Sequence, residues 1–208
     1  MAPAPSTSRR NARSKPTKPA RKKDNSVFVI GGRDRALTDS MFVFLRALGC
    51  KPVDFHQAVA KVKTGTPYIG QVLDTVFEQV DALVVLFSPD DEVKLKDQFV
   101  KSSEVTTEGR YQGQARPNVI FGAGMAMGHH QDKTILVQVG EIKNCSDIAG
   151  RHMVHLDDSV ASRNAFAQRL GRLCKVDLTS HDWPEAGTFV PTSTDSAQPT
   201  KKSPKRTR

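Results

Sequence analysis

Gln114-Ala115-Arg116-Pro117-Asn118-Val119-Ile120-Phe121-Gly122-Ala123-Gly124-Met125-Ala126-Met127-Gly128 is the stretch on which the reading of this chain turns. Pro117 closes a polar segment and Asn118 has a side chain suited to capping a helix. Val119 onward is therefore expected to be a short helix that starts beside the C-terminal edge of a sheet. Such a helix start is a natural ligand site. Composition alone favours a plainer reading, a buried helix whose glycines allow close packing on a neighbour.

The sheet is supplied by the apolar runs on either side. Val27 to Ile30 is β-branched and aromatic and ends in Gly31-Gly32, which fits a buried parallel strand with a sharp turn after it. Leu37, Met41, Phe44, Leu45 and Leu48 recur at helical spacing before Gly49, predicting a helix over 36–48. Val53 to Phe55 reads as a second strand, and Ile69, Val72, Leu73, Val76 and Val80 mark the next helix. Ala82 to Phe87, the most apolar strand, belongs at the centre of the sheet. Beyond the Asn118 helix, Thr134 to Val139 is a strand, Met153 to Leu156 an edge strand, and 160–173 a helix. Ser88 to Pro117 is polar, irregular and longer than most connections, so it is a candidate binding loop or lid. The order β-α-β-α-β-α-β-β-α predicts an α/β domain, a flavodoxin-like parallel sheet with helices on both faces.

The formal charge of +9 is unevenly placed. Residues 1–25 carry eight Lys or Arg against Asp24, and residues 191–208 carry five against Asp195, so the body between them is slightly acidic. Both ends are rich in Pro, Ser, Lys and Arg and are expected to be disordered basic tails making nonspecific anion contacts. One domain over 26–190 remains. Neither an apolar leader nor a run of ~18 apolar residues occurs, so a cytoplasmic protein without a membrane partner is expected. Cys50, Cys145 and Cys174 lack the spacing of a zinc site and are expected to be reduced thiols. The pairs His129-His130 and His152 with His155 do not make a metal set either, because positions three apart in a strand face opposite sides.

In open α/β sheets a ligand sits beyond the carboxyl ends of the strands. Candidates there are Gly31, Gly32 and Arg33 after the first strand, Phe55 and Gln57 after the second, Ser88 and Asp90 after the third, and Arg116 and Asn118 at the helix start. The glycines allow close backbone approach and the arginines can pair with phosphate. Arg151 is a further candidate for an anion contact or a surface ion pair. Neither GxGxxG nor GxxxxGK[ST] is present, which excludes the usual dinucleotide fingerprint and the P-loop.

The run from Asn118 to Gly124 resembles the TIR-like nucleotide-binding family of bacterial antiphage effectors, whose motif is Asn-Val-x-Phe-Glu-x-Gly. The resemblance continues through Val27 to Asp34, Gln57-Ala58-Val59, Pro67-Tyr68-Ile69-Gly70, Ser88 to Asp91, Ser146 to His152 and Asp182-Trp183. It implies a TIR-like fold and NAD(+) glycohydrolase activity. NAD or a related nucleotide would be substrate or ligand, with no other cofactor, and the protein would self-associate when an activating partner or signal arrives. It also implies that the family's catalytic glutamate falls at Gly122, and it adds weight to Arg116 and Asn118.

Cleaving the nicotinamide–ribose bond develops positive charge on the ribose, which a nearby carboxylate stabilises. Gly122 has no side chain, and losing one such group costs on the order of 10²–10³ in rate. The expectation is an impaired NAD-cleaving effector scaffold. The alternative is a non-catalytic nucleotide-binding signalling module, and a third class is a nucleic-acid-associated protein that uses its basic tails. Asp90, Asp91 and Glu92 are the nearest substitute acids by loop position. Trp183 is expected to be a packing anchor.

Overall fold

In the computed structural model, which describes residues 23–60, 68–143 and 150–192, every residue of Ser26–Ile30 (β1) is buried. The chain continues through Arg35–Ala47 (α1), Lys51–Val53 (β2), Phe55–Ala60 (α2), Ile69–Gln79 (α3) and Ala82–Phe87 (β3). Asp91–Val93 (β4) and Gln112–Gln114 (β5) come next, then Pro117–His130 (α4), Thr134–Gln138 (β6), Val154–His155 (β7) and Val160–Leu170 (α5). β1, β2, β3, β6 and β7 form one sheet in the order β2-β1-β3-β6-β7, with every neighbouring pair parallel. This is the flavodoxin-like order, and the chain reverses its direction of travel across the sheet between β1 and β3.

Strand side chains alternate between two apolar cores, as a period of two requires. Val27, Val29, Val84, Leu86, Ile135 and Val137 face a cluster completed by Leu37, Met41, Phe44 and Leu45 of α1 and Phe166 and Leu170 of α5. Phe28, Ile30, Leu83, Val85, Phe87 and Leu136 face the other, with Val72, Val76 and Phe77 of α3 and Val119, Ala123 and Ala126 of α4. Helices therefore cover both faces, which is why β1 and β3 are apolar throughout rather than alternating.

The segment after α5 is fastened to the first core. Trp183 stacks on Phe44 at a centroid separation of 6.5 Å, and Phe189 meets the same ring edge-on at 5.5 Å. Arg163, 2 % exposed, donates to the carbonyls of Ala186 and Gly187 and to Asp158 Oδ1 at 2.5, 2.8 and 2.9 Å. Farther along, Thr192 N–H donates to Asp34 Oδ2 at 3.0 Å, while Asp34 Oδ1 caps α1 through Leu37 N–H. Burial works to raise the Asp34 pKa, but the hydrogen bonds from Thr192 and Leu37 outweigh it and hold the carboxyl below its ordinary value.

Several boundaries differ from the sequence-based expectation. The second strand is Lys51–Val53, and Phe55 opens a helix instead of closing a strand, because Asp54 caps α2 by accepting from Gln57 N–H at 2.7 Å. Ser88 to Pro117 is not irregular throughout. β4 and β5 pair antiparallel with Asp91 opposite Gln114, and Lys143 N–H anchors Gly113 O at 2.7 Å. Lys23 and Asn25, counted with the N-terminal tail, contact the body: Lys23 Nζ donates to Leu173 O and Asn25 bridges Gly49 and Lys175. Thr192, counted with the C-terminal tail, likewise contacts the body through Asp34, while residues 1–22 and 193–208, with Pro67, Cys145 and Ser146 to Ala149, lie outside the described residues.

Candidate functional site

The carboxyl ends of β1, β2 and β3 and the start of α4 meet where the strand order reverses, the place at which open α/β sheets take ligands. A two-lobed cleft lies there. Its apolar lobe, about 310 Å³, is lined by Phe28, Ile30, Gly31 and Gly32 from β1 and its turn, and by Arg35, Thr38 and Phe42 of α1. Asp54, Phe55, Ile69, Leu73, Asn118 and Phe121 complete it. The second lobe, about 350 Å³, is lined by Gly32, Arg33, Arg116, Pro117 and Asn118. Gly32 and Asn118 border both. An aromatic and aliphatic chamber thus opens beside one that carries two guanidinium groups, the pairing expected of a site for an aromatic ring joined to an anion.

The turn after β1 is held by Asp90. Its Oδ2 accepts from the N–H groups of Arg33 and Asp34, and its Oδ1 accepts from the Ser88 hydroxyl. A Cβ on Gly32 would overlap that carboxylate, so glycine here serves the approach of Asp90 to the backbone. Asp90 and the buried Ser88 therefore shape the turn and line neither lobe. Gln57 is likewise directed away from the cleft, into the cap of α2, where its Oε1 accepts from Asp54 N–H.

Arg33 has no ion-pair partner among the described residues, whereas Arg116 Nη1 lies 3.2 Å from Asp91 Oδ1 with both side chains about a third exposed. That leaves Arg33 as the uncompensated charge of the basic lobe. Asn118 does not cap α4. Arg116 occupies the cap position with Pro117 behind it at the first helical residue, and both Val119 and Ile120 N–H bond to Arg116 O. Pro117 brings the helix start two residues earlier than the asparagine signal suggests, and that frees the Asn118 amide to border both lobes. Arg151 is elsewhere: it donates to Gln131 beyond the opposite end of α4.

Gly122 sits one turn into α4 on its buried side, against β1. A Cβ built there lies 3.1 Å from Ile30 Cγ2 and 3.4 Å from Ile30 Cδ1, and Ile30 lines the apolar lobe. Helical side chains lean toward the N-terminus and cover the preceding turn. A longer side chain at 122 would lean toward Asn118 and the mouth of the cleft.

Arg35, Asp54 and Phe121 line the cleft without having been singled out from the sequence. Asp54 carried a usable signal, since Asp-x-x-Gln marks a helix start and an acid at the end of the second strand is a familiar place for a nucleotide contact. Among the described residues no cluster of three or more His, Cys, Asp or Glu is disposed to hold a metal, and no helix is long and apolar enough to cross a membrane. Cys50 and Cys174 are buried free thiols.

A family model described as CAP12/Pycsar effector protein, TIR domain, matches residues 26–158, more than half of the chain and all of the cleft. No curated protein matches it.

Proposed function

The chain belongs to the CAP12/Pycsar effector TIR-domain family, and on that premise we propose that it is a TIR-like NAD(+) glycohydrolase-type effector scaffold of bacterial antiphage defence. It binds NAD or a related nucleotide, and its hydrolytic activity is impaired at Gly122. The observation that carries this is the two-lobed cleft at the reversal of strand order. The apolar lobe accepts a ring between Phe55 and Phe121, and Arg33 with the Asn118 amide takes the phosphates. Self-association, prompted by a partner or signal, would complete the site in such an effector.

Gly122 favours a second reading, a nucleotide-binding signalling module without catalysis. A carboxylate placed against the ribose is what NAD cleavage asks for, and Gly122, which packs on Ile30 behind the apolar lobe and lines neither lobe, has no side chain to supply one. Both readings require nucleotide binding. The full chain should bind NAD in a calorimetric titration, and Arg33→Ala should weaken it about ten-fold through the loss of a charge-assisted phosphate contact. A folded wild-type protein without measurable affinity for NAD contradicts both.

A further inference from the structure

Cys50 and Cys174 lie at the end of the sheet opposite the cleft, where β2 begins and α5 has just ended. Both are 5 % exposed, both belong to the core covered by α1 and α5, and their thiols face each other. Backbone contacts on either side fix that approach. The Asn25 amide nitrogen donates to Gly49 O at 3.3 Å and to Lys175 O at 2.8 Å, and its oxygen accepts from Lys175 N–H at 2.9 Å. Asp177 N–H donates to Leu48 O at 3.0 Å. The chain neighbours of one cysteine are thus stapled to those of the other, and neither thiol lines the cleft.

We propose that Cys50 and Cys174 are a dithiol oxidation site, and that the disulfide formed there clamps the segment after α5 to the start of β2. A disulfide needs its two backbones close together, and backbones that share one amide side chain have little distance left to close. The two thiols are not equivalent. Cys50 donates to Cys174, which pushes Cys50 up and holds Cys174 below its ordinary value. Lys23, whose ammonium donates to Leu173 O at 2.8 Å, adds to the lowering at Cys174 against burial and the carboxylates of Asp81 and Asp24. Cys174 is therefore the attacking thiolate. With hydrogen peroxide as oxidant, its sulfur bonds to one oxygen, the O–O bond breaks, and the departing hydroxide takes up the proton that Cys174 gave up. Cys50 Sγ then attacks the sulfenic acid on Cys174: the S–S bond forms, the S–O bond breaks, and the Cys50 proton leaves with that hydroxide as a second water. The two sulfurs together give two electrons to the peroxide oxygens. Because the cleft is at the opposite strand ends, the clamp acts on the fold and stands apart from the nucleotide reading.

The test uses the full chain carrying Cys145→Ser, so that only these two thiols remain, treated while folded with hydrogen peroxide and then freed of it. Its intact mass should fall by two hydrogen atoms, and a peptide map should join the segments that hold Cys50 and Cys174. The melting temperature should rise by about 5–10 °C, because the bond closes β2 through α5 into one long loop, and dithiothreitol should reverse the rise. Adding Cys50→Ser should leave oxygen on Cys174 and no rise. A folded protein that keeps both thiols, only gains oxygen, or links two chains overturns the oxidation site. A Cys50–Cys174 disulfide that leaves the melting temperature unchanged or lowers it overturns the clamp.

Discussion

A Cβ at Gly32 would overlap the carboxylate of Asp90, and at Gly122 it would press on Ile30, so two glycines of one cleft have different reasons to be glycine. Gly32 admits an acceptor for two backbone N–H groups. Gly32→Ala displaces Asp90 and leaves those donors without it, which should cost about 1–3 kcal/mol of stability. It should also weaken NAD binding, because the turn carries Arg33; denaturant unfolding beside a titration checks both, and a variant as stable as the wild type contradicts the assignment. Gly122 gives the helix nothing locally, since glycine in a helix interior costs roughly 0.5–1 kcal/mol relative to alanine. At this scale Gly31, Gly32 and Arg33 were legible because a strand, a glycine pair and an arginine are neighbours in sequence. The role of Asp90 was not, because the backbone it serves is 57 residues away. Nor was the burial of Ser88, whose hydroxyl bonds to Asp90 and so depends on the same long-range contact.

Among the elements, β1, β3, α1 and α3 were readable from periodicity, because each buries a full stripe or both faces. α2 escaped notice: it buries only Ala58 and so has no apolar period to show. β4 and β5 escaped because Asp-Glu-Val and Gln-Gly-Gln are too short to carry a strand pattern and are defined by each other. The arm after α5 depends on a buried cation. Arg163 lies over the rings of Phe44 and Phe189 at 5.5 and 5.0 Å and holds two carbonyls of the arm. Arg163→Ala should cost about 3 kcal/mol, the low end for removing one partner of a buried pair because Asp158 keeps access to water. It should open the arm to limited proteolysis near Trp183. An arm as resistant as in the wild type would show that aromatic packing alone holds it.

For the whole molecule, the parallel sheet in flavodoxin-like order and the family both emerged from the arrangement of motifs along the chain, and the family match covers residues 26–158, which hold every strand of that sheet. The charge of +9 is concentrated in the end segments, and the body that carries the cleft is slightly acidic. What the order of motifs did not convey is the division of the cleft into an apolar and a basic lobe, which depends on how α1, α2 and α4 converge. The central claim is that this body is a nucleotide scaffold lacking one catalytic carboxylate. A glutamate at 122 needs Ile30 to give by a few tenths of an ångström and would lean toward the cleft. The most direct measurement tracks nicotinamide release from NAD over time by the concentrated wild type and by Gly122→Glu under identical conditions. The account predicts release by the variant at a rate on the order of 10²–10³ above the wild type. Equal rates from both proteins, or a folded, NAD-binding variant that releases none, would contradict it.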